Sequence, residues 1–268
     1  MKSLILDKSV LVAAAPGVLK TFARDFLLYL TPELLAEVQL KNERRTKLIA
    51  RILSDTPDRW LPLPQDVITW ELLHGISARL ALAQPGFLRT LNEGCNFPDE
   101  AARVAYERQA QELCCFPSGL NEEEACELMR NAPLELFSKF VQDKLLAQDG
   151  PVERFLWDPL LIEFAARLAF DALPKWKPSR DSFCHALALV MTAGYYFKIL
   201  RYGSEPADRR NLGNFTHDRL YLPYIVLADG LLSNDRNQLA QAWAYWPEKR
   251  DCLFMYDSNI RALRLYEP

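Results

Sequence analysis

The sequence predicts an α/β fold in which both ends of the chain contribute strands to one mostly parallel sheet. Short apolar runs that stop at acidic residues occur near both ends, and long segments with helical spacing lie between them. Buried parallel strands appear in a sequence as short continuous apolar runs, whereas helices repeat apolar residues every three to four positions. Together these patterns favour a helix-covered sheet with a large helical insertion.

The composition is that of a folded domain. The chain has 268 residues, of which 50% are hydrophobic and 25% charged, and its formal net charge is −3. These fractions exclude disordered, collagen-like and coiled-coil proteins. Because the charge is nearly balanced, a nucleic-acid partner would have to be held by a local patch or a metal ion.

The sequence predicts a cytoplasmic protein without a membrane contact. Asp7 and Lys8 interrupt the apolar stretch at the N terminus, which is not typical of a signal peptide. No run reaches the ~18 apolar residues that a membrane span requires. The six cysteines form no C-x-x-C pair, so we interpret them as reduced thiols rather than zinc ligands.

The first forty residues alternate between strand and helix signals. An apolar strand over 3–6 ends at Asp7, a helix follows over 16–26, and a second apolar run covers 26–30. Thr31 is a good N-cap and the proline after it suits the first helical position, so another helix begins there. Strand, helix, strand, helix in this order is typical of a parallel α/β unit.

The middle of the chain has a different character. Long helical patterns with Pro, Gly and Asn between them predict a helical subdomain, so we divide the chain into an N-terminal α/β part, a helical insertion and a C-terminal α/β part. The three parts are residues 1–44, 45–205 and 206–268, and the helical patterns cover 101–115, 122–129, 134–146, 154–173 and 181–200.

The C-terminal part again has short apolar runs. Asp218 opens an apolar, helix-like run over 220–227. A short strand over 230–233 then ends at Asn234 and Asp235, and residues 252–256 form a last strand.

Four acidic residues stand at the edges of these elements: Asp7, Glu37, Asp218 and Asp235. The carboxyl ends of parallel strands and the starts of the adjoining helices meet in one crevice. Carboxylates gathered there repel one another unless a hard divalent cation neutralises them, which predicts Mg²⁺ or Mn²⁺. Such cations can activate water for phosphodiester hydrolysis.

Three segments resemble motifs of the PIN-domain nucleases. Residues 4–12 are similar to the family's first strand, in which Asp, a variable residue and Ser or Asn follow an apolar run. Residues 29–38 resemble its second strand and helix, whose final Glu is a metal-site acid. Residues 231–235 resemble its strand end of two apolar residues, Thr or Ser, any residue and Asp. Asp218 precedes Asp235 by 17 residues, close to the separation of the family's third and fourth acids.

The resemblance implies a PIN-like three-layer fold with a central mostly parallel sheet, carrying a large helical insertion. It implies a metal-dependent endonuclease that hydrolyses phosphodiester bonds, with RNA favoured over DNA. Toxin–antitoxin systems and phage defence are typical settings, so a protein regulator or antitoxin and a homo-oligomer are conceivable partners. The implied catalytic residues are Asp7, Glu37, Asp218 and Asp235, the ligands of Mg²⁺ or Mn²⁺ are Asp7, Asp218 and Asp235, and the substrate-binding residues are Lys8, Ser9, Ser233 and Asn234.

Two alternatives stay open at the level of the sequence. Glu71 lies in a segment that also resembles a strand-to-helix step of the family, so it competes with Glu37 for the position of the second acid. The chain could also be a catalytically silent PIN-like binding or scaffold protein whose helical block docks a partner. Lys8 favours that alternative, because the family usually has Thr at this position.

Overall fold

The computed structural model describes residues 1–32, 34, 59–82, 99–115, 179–187, 189–190 and 221–268. Its strands are β1 (Lys2–Leu6), β2 (Phe26–Tyr29), β3 (Gly230–Leu232), β4 (Leu253–Asp257) and β5 (Ala262–Leu265). Its α-helices are α1 (Lys8–Ala13), α2 (Pro16–Asp25), α3 (Pro64–His74), α4 (Ala78–Leu82), α5 (Glu100–Cys115) and α6 (Arg236–Tyr245). The segments Leu222–Leu227 and Pro247–Cys252 are 3₁₀ helices.

The strands form one mixed sheet in the order β2-β1-β3-β4-β5. The first four of these strands are parallel to their neighbours, and β5 runs antiparallel to β4. In the centre of the sheet, Leu4 of β1 is in register with Leu28 of β2 on one side and with Gly230 of β3 on the other. The predicted α/β class and the shared sheet of the two chain ends are therefore confirmed.

Helices pack on both faces of the sheet. Because side chains alternate along a strand, Ile5 and Leu231 point to one face, whereas Leu6 and Leu232 point to the other. The first face, which we call the α6 face, also contains residues of α3, α6, the Leu222–Leu227 segment and the helical residues that begin at 183. The second, which we call the α2 face, contains buried residues of α1 and α2.

Strand β3 approaches β4 so closely at Gly230 that no side chain fits there. A Cβ atom at this position would lie 1.9 Å from the carbonyl oxygen of Cys252 and 2.6 Å from its carbonyl carbon. Both are backbone atoms, which cannot turn aside as a flexible side chain would. The glycine is thus a condition for the central strand pairing.

Three local predictions need correction or completion. The apolar run over 220–227 is predicted to be helix-like, and within it Leu222–Leu227 forms a 3₁₀ helix rather than an α-helix. Pro223 lacks the amide hydrogen that an α-helix through this point would use. The segment around Glu71, compared above with a strand-to-helix step, lies inside the continuous helix α3. The helix expected over 101–115 is confirmed as α5, and those over 122–129, 134–146 and 154–173 lie outside the described residues.

A cluster of charged residues joins elements at the amino-terminal edge of the sheet. Asp229, which precedes β3, accepts hydrogen bonds from the amide and hydroxyl of Ser3 at 2.8 and 2.9 Å. Its other oxygen pairs with Arg79 of α4 at 3.2 Å. The side chain of Lys249 is buried, and its Nζ donates to the carbonyl oxygen of Ala228 at 2.5 Å.

Among the helices in the described part of the chain, none is long and apolar enough to cross a membrane.

Candidate functional site

Asp7 lies at the carboxyl-terminal edge of the sheet, directly after β1. Its amide donates to the carbonyl oxygen of Leu232 at 3.0 Å, which ties the end of β1 to the end of β3. Its side chain is the N-cap of α1 and accepts from the amide of Ser9 at 3.3 Å. Only 7% of the residue is exposed. The carboxylate is therefore held by the strand that precedes it and the helix that follows it.

Two serine hydroxyls from different turns converge on the same oxygen of Asp7. Ser9 Oγ donates to Asp7 Oδ2 in a short hydrogen bond, and Ser233 Oγ donates to this oxygen at 2.7 Å. The two hydroxyl oxygens lie 3.4 Å apart. Neither hydroxyl bonds to Asp7 Oδ1. The serine contacts therefore orient the carboxylate through one oxygen and leave the other outside their cluster.

Backbone amides fix the direction of both hydroxyl groups. The amide of Asn234 donates to Ser9 Oγ at 2.8 Å, and the amide of Asp235 donates to Ser233 Oγ at 2.9 Å. A hydroxyl has one proton to donate, and its oxygen here already accepts from an amide. Each serine therefore accepts from the β3–α6 turn and gives its proton to Asp7.

Asp235 and Asn234 are held by the same turn. Asp235 is the N-cap of α6, and its Oδ1 accepts from the amides of Asn237 and Gln238 at 2.8 and 3.3 Å. Its Oδ2 accepts no hydrogen bond from any residue that the structure describes. Asn234 Oδ1 accepts from the amide of Tyr256 at 2.9 Å, which links the turn to β4.

Burial and hydrogen bonding act in opposite directions on Asp7. Loss of solvent raises the pKa of the carboxyl group, because its charged form loses hydration. The hydroxyls of Ser9 and Ser233 and the nearby amides lower the pKa by bonding to the charged form, but the net direction is upward. Proton transfer to Asp7, or a cation beside it, would relieve the cost of its buried charge.

Two of the four predicted metal-site acids lie among the described residues. Asp7 and Asp235 lie on the same edge of the sheet, where Ser233 Oγ donates to Asp7 Oδ2 and accepts from the backbone amide of Asp235. Carboxylate oxygens are the ligands that Mg²⁺ prefers. Within the described ranges, however, no three Asp, Glu, His or Cys side chains gather around one point. Glu37 and Asp218, the other two predicted acids, lie outside these ranges, so their positions relative to Asp7 stay predictions.

Glu71, the alternative to Glu37 as the second acid, bonds to the backbone of two helices. The side chain is fully buried, and its Oε1 accepts from the amides of Ala78 and Phe183 at 2.9 and 2.8 Å, while Oε2 accepts from the amide of Cys184 at 2.9 Å. These amides belong to the first turns of two helices, which have no partners for them within the helix. Burial raises the pKa of Glu71, and the amide bonds oppose that increase. One carboxylate thus caps two helices.

The predicted substrate-binding residues have different environments. Ser9 and Ser233 donate their hydroxyl protons to Asp7, and the Asn234 side chain accepts a hydrogen bond from β4. Lys8 is the first residue of α1 and is half-buried beside the cluster. A substrate contact by any of these four residues stays a prediction. Sequence patterns alone could not have identified Ser9 and Ser233 as partners of one carboxylate, because they are separated by 224 residues.

Comparison of the chain with family models, with curated proteins and with solved structures finds no match in any of the three.

Proposed function

We propose that this chain is a PIN-like, metal-dependent endonuclease that acts at the carboxyl-terminal edge of its sheet, with RNA favoured over DNA. The observation that carries the proposal is the Asp7 carboxylate, which is buried at the ends of the two central strands and is oriented by two serine hydroxyls through a single oxygen. The resemblance of three sequence segments to PIN-domain motifs adds support, and so does the position of Asp235 beside Ser233.

In this proposal each residue of the site has its own role. Asp7 accepts both serine hydroxyls, and Asp235 both of its amide bonds, through a single carboxylate oxygen. These two carboxylates would bind Mg²⁺ or Mn²⁺ together with Asp218, and Glu37 would complete the site. When bound, the cation would supply an activated water molecule and stabilise the departing oxygen of the phosphodiester. Ser9 and Ser233 keep the Asp7 carboxylate in position for that role. Lys8 and the turn at Asn234 stand next to the carboxylates, where a phosphate group would lie.

The test is cleavage of labelled RNA, single-stranded DNA and double-stranded DNA in Mn²⁺. We expect wild-type protein to cut the RNA and EDTA to abolish cleavage. Asp7→Asn and Asp235→Asn preserve size but remove a charge, so each is expected to slow cleavage on the order of 10²-fold or more. The matched control is Asp25→Asn, which alters an exposed aspartate at the end of α2 in the same way and is expected to cleave like wild type.

A metal-binding measurement distinguishes cleavage by this site from cleavage by a contaminating nuclease. A cation that binds only the folded state raises the melting temperature by mass action. Millimolar Mn²⁺ is therefore expected to stabilise wild type and Asp25→Asn but not Asp7→Asn. Cleavage that survives both site substitutions, or a Mn²⁺ shift that Asp7→Asn retains, would rule out this site as the origin of the activity.

A second function is favoured by one observation. Both described acids of the site also serve as helix N-caps, a role that requires no ligand. We propose as the alternative that the chain is a catalytically silent PIN-like binding protein. Folded wild-type protein that neither cleaves any substrate nor responds to Mn²⁺ would favour this alternative over the nuclease.

A further inference from the structure

A second surface feature begins next to the candidate site and extends along α6. Arg236 is the first residue of α6, immediately after Asp235, and its side chain is exposed. Trp243 lies seven residues further along, on the same face of the helix and about 10 Å away along the axis. The side chain of Trp243 is half-buried.

Arg250 is stacked on Trp243 from the following 3₁₀ segment. Its guanidinium carbon lies 4.8 Å from the centroid of the Trp243 ring, and its Nε donates to the carbonyl oxygen of the same residue at 3.1 Å. Two contacts therefore fix an exposed arginine whose rotamer would otherwise be free. Since the backbone bond uses only Nε, both terminal nitrogens of the guanidinium remain for an anion.

The buried side chain of Tyr266 packs against Trp243. Its ring meets Trp243 edge-on, with centroids 6.1 Å apart. Burial raises the pKa of the Tyr266 hydroxyl, and the positive charge of Arg236 opposes this rise. We use the name α6 strip for Arg236 and Trp243 on one face of α6, together with Arg250 stacked on Trp243 and Tyr266 buried against it.

We propose that the α6 strip binds single-stranded nucleic acid and guides it into the candidate site. Arginine side chains suit phosphate groups, and a guanidinium plane held against an aromatic ring suits stacking by an unpaired base. The strip is long enough for about three nucleotides at the ~3.4 Å spacing of a stacked strand. It starts at Asp235, so a strand that lies on it continues toward Asp7. This inference rests on the proposed function for its direction, but not for binding itself.

Local charge determines how such binding depends on salt. The 3₁₀ segment that carries Arg250 also carries exposed Glu248 and Asp251, so the surface is not strongly basic. We expect stacking to contribute much of the affinity and only two arginines to contact phosphates. For single strands, two phosphate contacts give a slope of about −1.4 in log affinity against log salt.

The experiment is fluorescence anisotropy of labelled 12-nucleotide RNA, single-stranded DNA and duplex DNA, with wild-type protein in EDTA to prevent cleavage. We expect wild type to bind both single strands more tightly than the duplex. Arg250→Ala is expected to weaken single-strand binding by about tenfold and to reduce the salt slope by about 0.7. Arg250→Lys keeps the charge but not the plane, so it should restore the salt slope without restoring the affinity. Arg236→Ala should also weaken binding.

The matched control is Arg24→Ala, which removes an exposed arginine from α2 on the other face of the sheet and is expected to bind like wild type. Equal affinities for wild type, Arg250→Ala and Arg236→Ala would overturn the strip, and so would an absence of single-strand binding. If binding requires Arg250 but Mn²⁺ produces no cleavage, the strip stands and the nuclease proposal fails. If cleavage requires Asp7 while Arg250→Ala leaves affinity unchanged, the nuclease stands and the strip fails.

Discussion

We expect the buried amine of Lys249 to make the stability of the protein increase with pH in the alkaline range. Its ammonium group is buried and donates to the carbonyl oxygen of Ala228. Burial, and to a smaller extent the positive charge of Arg79, lower the pKa of Lys249 from 10.5 to about 8, against the opposing charges of Glu248, Asp229 and Asp181. Between these two pH values the unfolded chain holds a proton that the folded chain has released. Stability contributed by this group therefore rises as pH increases from about 8 to 10.5.

The perturbation is Lys249→Met, which keeps an unbranched apolar stem and removes the titrating group. A difference of about 2.5 between the two pKa values corresponds to ~3 kcal/mol across the window. Loss of the bond to Ala228 adds about 1 kcal/mol that does not depend on pH. The quantity to compare is the unfolding free energy of wild type minus that of the variant, because the contributions of all other groups are common to both proteins and cancel.

The assay is urea unfolding at pH 7.5, 9 and 10.5, with Lys20→Met as the control at an exposed position. We expect the wild-type-minus-Lys249→Met difference to increase by up to ~3 kcal/mol from the lowest to the highest pH. The control should give a difference that stays constant within about 0.5 kcal/mol. A Lys249 difference that is flat over this range, or that decreases with pH, would refute the assignment of a buried, weakly basic amine.

Three further substitutions test the packing of the sheet and of the helices. Gly230→Ala places a Cβ atom 1.9 Å from the Cys252 carbonyl oxygen, so we expect it to abolish folding or to lower stability by more than about 4 kcal/mol. The control is Gly17→Ala in α2, where a Cβ atom meets nothing within 4 Å. This control should stabilise the protein by roughly 0.5–1 kcal/mol. Thermal unfolding of both variants checks this, and similar melting temperatures would contradict it. Glu71→Gln replaces one acceptor oxygen with an NH₂ group that faces amide donors, so we expect a loss of about 2–3 kcal/mol in chemical unfolding at pH 7. A Glu71→Gln variant as stable as wild type would show that the capping of two helices by Glu71 contributes little to stability.

The sheet was predictable because its central strands are buried on both faces. Strands β1, β2, β3 and β4 each contain a short apolar run, and Asp7 and Asp235 mark where β1 and β3 end. The predicted strand boundaries therefore agree closely with those observed. Strand β5 escaped prediction because it is short and half exposed, which leaves no clear apolar run.

Helix α1 and the Glu71 carboxylate that caps two helices show where local sequence patterns fail to predict the structure. The run of Val10 and Leu11 is apolar and suits a strand as well as a helix, and the Asp7 cap decides in favour of the helix. The partners of Glu71 at Phe183 and Cys184 stand 112 and 113 residues away, so nothing near Glu71 in the sequence indicates its role. The same holds for the site itself: the acids were visible, but the contact of Ser233 with Asp7 arises only from the pairing of β1 with β3.

The pairing of β1 with β3 also determines when the site can come into existence during synthesis. Asp7 and Ser233 are separated by 226 residues, and β1 gains its central neighbour only from Gly230 onward. Contacts of such sequence separation form late and slowly, since a long loop must close before any pairing compensates for it. A ribosome-bound chain that has not yet passed Leu232 has Asp7 but no partner turn to orient it. If the protein cuts RNA as proposed, this order of assembly would keep the nascent chain inactive beside the message that encodes it.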